Sequence, residues 1–242
     1  MRNIKLVLEY DGTDFCGWQV QPDKRTVQGV LQDATRDLFQ ESVKIIGAGR
    51  TDAGVHALAQ VANFETSSVL TLNAINQGLN TYLPSDVRVV KAEEVADKFH
   101  SRFDAVRRTY RYVISKRPRA IERQYGWFCK YKLKVTRLKE ASEFLLGSHV
   151  FEAFSKISED ENHYLCDVES ASWRETEENL IFAITANRFL HKMVRIIVGT
   201  LVDVGRGKLS PADVREILDS GDRKRAGFAA PPQGLFLVSV DY

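Results

Sequence analysis

A chain of 242 residues, 44% of them hydrophobic, is long enough to bury a sizeable core, as one large domain or as two smaller halves. It contains no run of eighteen apolar residues, and MRNIKLVLEYDG at its start breaks into charge too early for a secretory signal, so a soluble, cytoplasmic protein is expected. The net charge of +2 hides a segregation. Residues 102–139 carry thirteen Lys or Arg against Asp104 and Glu122, a net of +11, whereas residues 140–182 carry eleven acids against Lys156 and Arg174, a net of −9.

In chain order, residues 4–10 (IKLVLEY) read as a strand. Residues 27–39 follow as a helix with Val27, Val30, Leu31, Ala34 and Leu38 on one face and Thr26 as its N-cap. Short strands are expected over 43–46 and 58–64, then a helix over 72–82 closed by Pro84, and a strand over 86–95. That order, β-α-β-β-α-β, is ferredoxin-like. A looser repeat comes next: a strand at 109–115, a helix at 136–146 stopped at Gly147, and strands at 164–174 and 180–187. A helix at 189–204, another capped by Ser210 with Pro211 in its first turn, and a last strand at 235–241 complete the chain. The expected class is α+β, with two ferredoxin-like halves, residues 1–100 and 101–242, forming a largely antiparallel mixed sheet flanked by helices.

Chemistry concentrates in GAGRTDAGVHA, residues 47–57. It is no P-loop, because Lys and Ser/Thr do not follow the last glycine, and Asp52 stands where a GxGxxG fingerprint requires glycine. Asp52 either caps a turn or is a nucleophile held up to a planar partner that glycines 47, 49 and 54 let approach, with Arg50 as a cation beside it. In FLHKMVRIIVGTLVDV, Arg195 sits among apolar neighbours, where a guanidinium is costly without a carboxylate, so a buried acidic partner is expected. In RRTYRY, Tyr110 and Tyr112 share one strand face with Arg111 on the other; Tyr112 reads as core, and Tyr110 as core or as a ring that stacks on a base.

Other features carry less. DFCGWQVQP, residues 14–22, reads as a cleft lining or a packed turn, and Leu235 as core or as a pocket wall. The five histidines show no ligand spacing, and Cys16, Cys129 and Cys166 form no CxxC pair, so neither a metal site nor a disulfide framework is expected. Seven aromatic residues interleave the basic run, a composition suited to phosphate contact and base stacking, or else to a solvated face over core rings.

GAGRTDAGVHA, DFCGWQVQP with TVQG, FHSRFDAVRRTYRY, FLHKMVRIIVGTL and GLFLVSVDY, in that residue content and over essentially the whole chain, resemble the TruA family of tRNA pseudouridine synthases. The resemblance implies conversion of uridine to pseudouridine at positions 38, 39 and 40 of the tRNA anticodon stem-loop, by a homodimer with a central RNA-binding cleft and with no cofactor and no metal. It implies Asp52 as nucleophile, Tyr110 as the ring on the target base, Arg195 as the salt-bridge partner of Asp52, Arg50 in the place vacated by the flipped base, and Leu235 as a pocket wall. Two rival classes fit parts of the sequence: a non-catalytic RNA-binding protein, from the basic aromatic run, and a small-molecule hydrolase using Asp52, which lacks a second carboxylate.

Overall fold

A computed structural model of the chain describes residues 1–156 and 163–242. It divides into two compact units, Met1–Val106 with Phe236–Tyr242, and Arg107–Leu235.

The first unit comprises β1 (Arg2–Tyr10), α1 (Val27–Phe39), β2 (Ile46–Gly47), β3 (His56–Thr66), α2 (Leu72–Tyr82) and β4 (Val87–Val95). β1 lies between β3 and β4, antiparallel to both. Its alternation sends Ile4, Leu6, Leu8 and Tyr10 into the core, against apolar stripes that include Val27 and Leu31 of α1 and Ile75 and Leu79 of α2. Each helix starts on a threonine hydroxyl that accepts from a first-turn amide, Thr26 from Gly29 N at 3.3 Å and Thr71 from Ala74 N at 3.2 Å. α2 stops at Leu83, which precedes Pro84 and is extended, as the clash with a proline ring dictates.

The expected strand over 43–46 is mostly absent. Val43 and Ile45 are buried, yet only Ile46 and Gly47 ladder, opposite Asn63 and Ala62. Apolar alternation here marks burial, not strand pairing. β2 thus covers one end of the outer edge of β3; the other end, at His56 and Ala57, is paired in parallel by Phe236 and Leu237 of the last strand, Leu235–Asp241. That register is why the end of the chain counts with the first unit, and the units part between Val106 and Arg107 rather than at residue 100.

The second unit comprises β5 (Arg107–Ser115), β6 (Trp127–Phe128), α3 (Val135–Glu143), β7 (Gly147–Val150), β8 (Leu165–Glu175), β9 (Asn179–Ala186), α4 (Met193–Gly205) and α5 (Asp213–Ser220); the last strand is β10. β5, β9, β8 and β7 run antiparallel in that order, and β6 pairs in parallel with β5. β6 and β7 are additions to the expected pattern. α4 starts at Met193 instead of 189 because Lys192 has φ of 62°, outside helical space, although the apolar pattern runs on through it. Ser210 and Asp213 bond reciprocally ahead of α5, Asp213 N to Ser210 Oγ at 3.3 Å and Ser210 N to Asp213 Oδ2 at 2.7 Å. The class is α+β, with mixed, mostly antiparallel strand pairing.

Candidate active site

Asp52 sits in the turn between β2 and β3, half-buried, with Arg50 exposed two residues before it. The turn is closed by its own main chain, Val55 N donating to Asp52 O at 3.2 Å. A second segment braces it from behind. Trp18 N donates to Thr51 O at 3.1 Å and Gly54 N to Phe15 O at 3.3 Å, while Tyr10 and Thr51 join hydroxyls at 2.8 Å. DFCGW is therefore a packed turn whose backbone holds the Asp52 loop.

The glycines divide the work. A Cβ on Gly47 would stand 2.6 Å from the Trp18 ring, and Gly54 has φ of +75°, which L side chains rarely adopt. Gly49 alone of the three faces open space, so of these positions it is the one that leaves room for a planar partner. Behind the loop, a Cβ on Gly12 would stand 2.0 Å from Val55 O, and Gly17, at φ +94°, 2.7 Å from Thr51 O.

Histidine spacing gave no role to His56, yet it is buried at the start of β3 and stacked on Phe236 at 4.7 Å. Its Nδ1 lies 3.0 Å from Gly12 N and 3.1 Å from Asp11 Oδ1. The Gly12 N–H donates to Nδ1. His56 thus ties the brace to β3. Among the described residues no group of three or more His, Cys, Asp or Glu is placed to hold a metal.

In the sequence Tyr10 is only the end of a strand. Burial pushes its phenol up to about 12, against the lowering effect of its hydrogen bonds to Thr51 and Gln60. A folded-state value above the unfolded one near 10 gives stability that is complete below pH 10 and lost as pH rises through about 12. Tyr10→Phe should lower unfolding free energy near pH 7 by about 1 kcal/mol, because Thr51 loses its partner, and the gap to the unaltered protein should close between pH 10 and 12. Urea denaturation of both proteins across that range checks the sign.

In the second unit, Tyr112 is core as expected, its hydroxyl donating to Pro231 O at 2.7 Å. Tyr110 lies on the same face of β5, 9% exposed, edge-on to Phe189 at 5.0 Å. Arg195 is the one residue of α4 that is not buried. Its Nε donates to Ala230 O at 2.7 Å, and Ala230 N returns a bond to Arg195 O at 2.9 Å. The loop carrying Ala230 reaches α4 through two glycines: a Cβ on Gly199 would stand 1.8 Å from Phe228 O, and Gly227 N donates to Thr200 Oγ1 at 2.8 Å. Leu235 and Leu237 are both buried, the latter in register with Ala57 of β3. Asp52 with Arg50 falls in the first unit, and Tyr110, Arg195 and Leu235 fall in the second.

The basic run is partly neutralised by the acidic one. Arg107 pairs with Glu169 at 2.9 Å, Lys116 with Glu175 at 2.7 Å, and Arg117 and Arg119 with Glu178 at 2.8 and 2.6 Å. Such exposed pairs contribute little stability, but they remove cations from the surface available to phosphate. Glu159, Asp160 and Glu161, counted in the acidic run, lie outside the described residues.

The family model described as tRNA pseudouridine synthase matches residues 6–104 and 141–242. The chain therefore belongs to the tRNA pseudouridine synthase family, and it is an isomerase. Among curated relatives it is 44% identical over 244 residues to tRNA pseudouridine synthase A of Thermoanaerobacter sp. (strain X514), covering all of both chains. It is likewise 44% identical over 248 residues to tRNA pseudouridine synthase A 2 of Clostridium perfringens, again over all of both. The corresponding protein of Exiguobacterium sp. is 40% identical over all of this chain and 98% of its own. No helix among the described residues is long and apolar enough to cross a membrane.

Proposed function

We propose that this isomerase converts uridine to pseudouridine at positions 38, 39 and 40 of the tRNA anticodon stem-loop, with Asp52 as its nucleophile. The carrying observation is the Asp52 turn itself: a half-buried carboxylate on a loop fixed by the main chain of residues 15–18. Full-length identity of 44% to a tRNA pseudouridine synthase A supports the substrate class.

The target base must leave its stack before C1′ or C6 can be reached, and unstacking costs least near a loop. Arg50, exposed beside Asp52, takes the place the base vacates, and Tyr110 stacks on the everted uracil with Leu235 as a wall of the pocket. Asp52 bonds to the nucleotide at C1′ or C6, and the bond between C1′ and N1 breaks. The uracil turns, C5 bonds to C1′, the bond to Asp52 is released, and the C5 proton leaves with Tyr110 assisting. Atoms balance within the nucleotide. Arg195, paired with Asp52, aims the carboxylate, as a nucleophile requires. The same reading makes the protein a cytoplasmic homodimer.

The test is sequencing of pseudouridine in unmodified tRNA after incubation with the purified protein. Pseudouridine is expected at 38, 39 and 40 where uridine stands there; modification confined to other arms would overturn the assignment.

A further inference from the structure

A basin of about 350 Å³ lies in the second unit, lined in part by Val113 and Ser115 of β5 and by the segment 117–128. Side chains alternate along β5, so the basin opens on the sheet face opposite Tyr110 and Tyr112. It is a different place from the pocket assigned to the target uracil.

Its walls combine rings with guanidinium groups. Phe128, in register with Ser115, shares that face of the sheet and is exposed, while the Trp127 ring, in register with Ile114, turns to the other face, edge-on to Tyr112 at 6.4 Å and to Phe228 at 5.7 Å. Tyr125 adds a second, partly exposed ring. Glu178 holds Arg117 and Arg119 in place, and Arg119, with a side chain only 16% exposed, keeps a buried Nε that has no acceptor. Arg123 is exposed, donates to Ala120 O at 3.1 Å, and has no ion pair among the described residues.

A purely structural ion-pair cluster accounts for Arg117, Arg119 and Glu178. It does not account for a cavity of nucleotide size, an orphan donor, a further cation and two rings around one space. A flat apolar wall beside cations is the chemistry that takes a base by its face and its phosphate by charge. We propose that the basin is a second RNA-contact site that holds one unpaired nucleotide of the substrate RNA, its base against Phe128 and Tyr125 and its phosphate at Arg123. This rests on the tRNA reading above.

Two variants of the full chain test it by tRNA binding across a salt series. Arg123→Glu should raise Kd at least tenfold and reduce the slope of log K against log salt by about one. Tyr125→Ala should raise Kd at least fivefold with the slope unchanged, since it removes stacking and no charge. Weakening by Arg123→Glu alone would leave a bare phosphate contact and overturn the nucleotide assignment. If the unaltered protein forms pseudouridine in tRNA while both variants bind with its affinity and slope, the basin proposal falls by itself. If the unaltered protein forms none, it is the tRNA reading that fails.

Discussion

Replacing Asp52 with asparagine is expected to lower tritium release from tRNA labelled at uridine C5 by at least about 10³-fold, roughly 4 kcal/mol of transition-state stabilisation. Binding of tRNA should stay within about twofold, because the amide keeps the size of the carboxylate and leaves the main-chain bonds that close the loop in place. The turn is held by main-chain donors and acceptors, Val55 N to Asp52 O and Trp18 N to Thr51 O, neither of which involves the carboxylate. A folded, tRNA-binding, inactive variant therefore reports on chemistry. If turnover survives the substitution, Asp52 is a turn residue and the covalent mechanism is wrong.

What could be read in advance depended on how local the cause was. α1 and α2 run over the expected residues because the causes are local, Thr26 and an apolar stripe for α1 and the stop at Pro84 for α2. The strand at 43–46 misled because Val43 and Ile45 satisfy an alternation rule that reports burial, while pairing depends on what β3 offers fifteen or more residues away. The apolar pattern overshoots the start of α4 by four residues because Lys192 breaks the helix by backbone conformation, to which its side chain gives no clue.

The site divides along the same line. A carboxylate between glycines was visible; what fixes it was not, since the contacts run from Gly12, Phe15 and Trp18 to backbone atoms about forty residues on, and backbone atoms carry no sequence signature. Charge behaved likewise. A net of +11 over 102–139 suits phosphate contact or a solvated face, but β5 and its flanks lie near the acids of β8 and the turn after it. Adding charges along a chain misses the neutralisation that strand pairing brings about.

Gly12→Ala carries the second large effect. The added methyl would stand 2.0 Å from Val55 O and 2.5 Å from Val55 C, both backbone atoms at the start of β3 that no rotamer change can move. Either residues 12–18 or the Asp52 turn must shift, at a cost of about 1–3 kcal/mol in stability. A displacement near 1 Å at a nucleophile costs about 10²-fold in turnover. The expected variant is folded, binds tRNA, and turns over about a hundred times more slowly. Gly49→Ala is the matched comparison: a Cβ there meets nothing within 4 Å, so unfolding free energy should change by no more than about 0.5 kcal/mol. Urea denaturation and single-turnover rates on both variants separate the roles of two glycines that look alike in the sequence. Full turnover in Gly12→Ala would mean that Asp52 is aimed by something other than the main chain of residues 12–18.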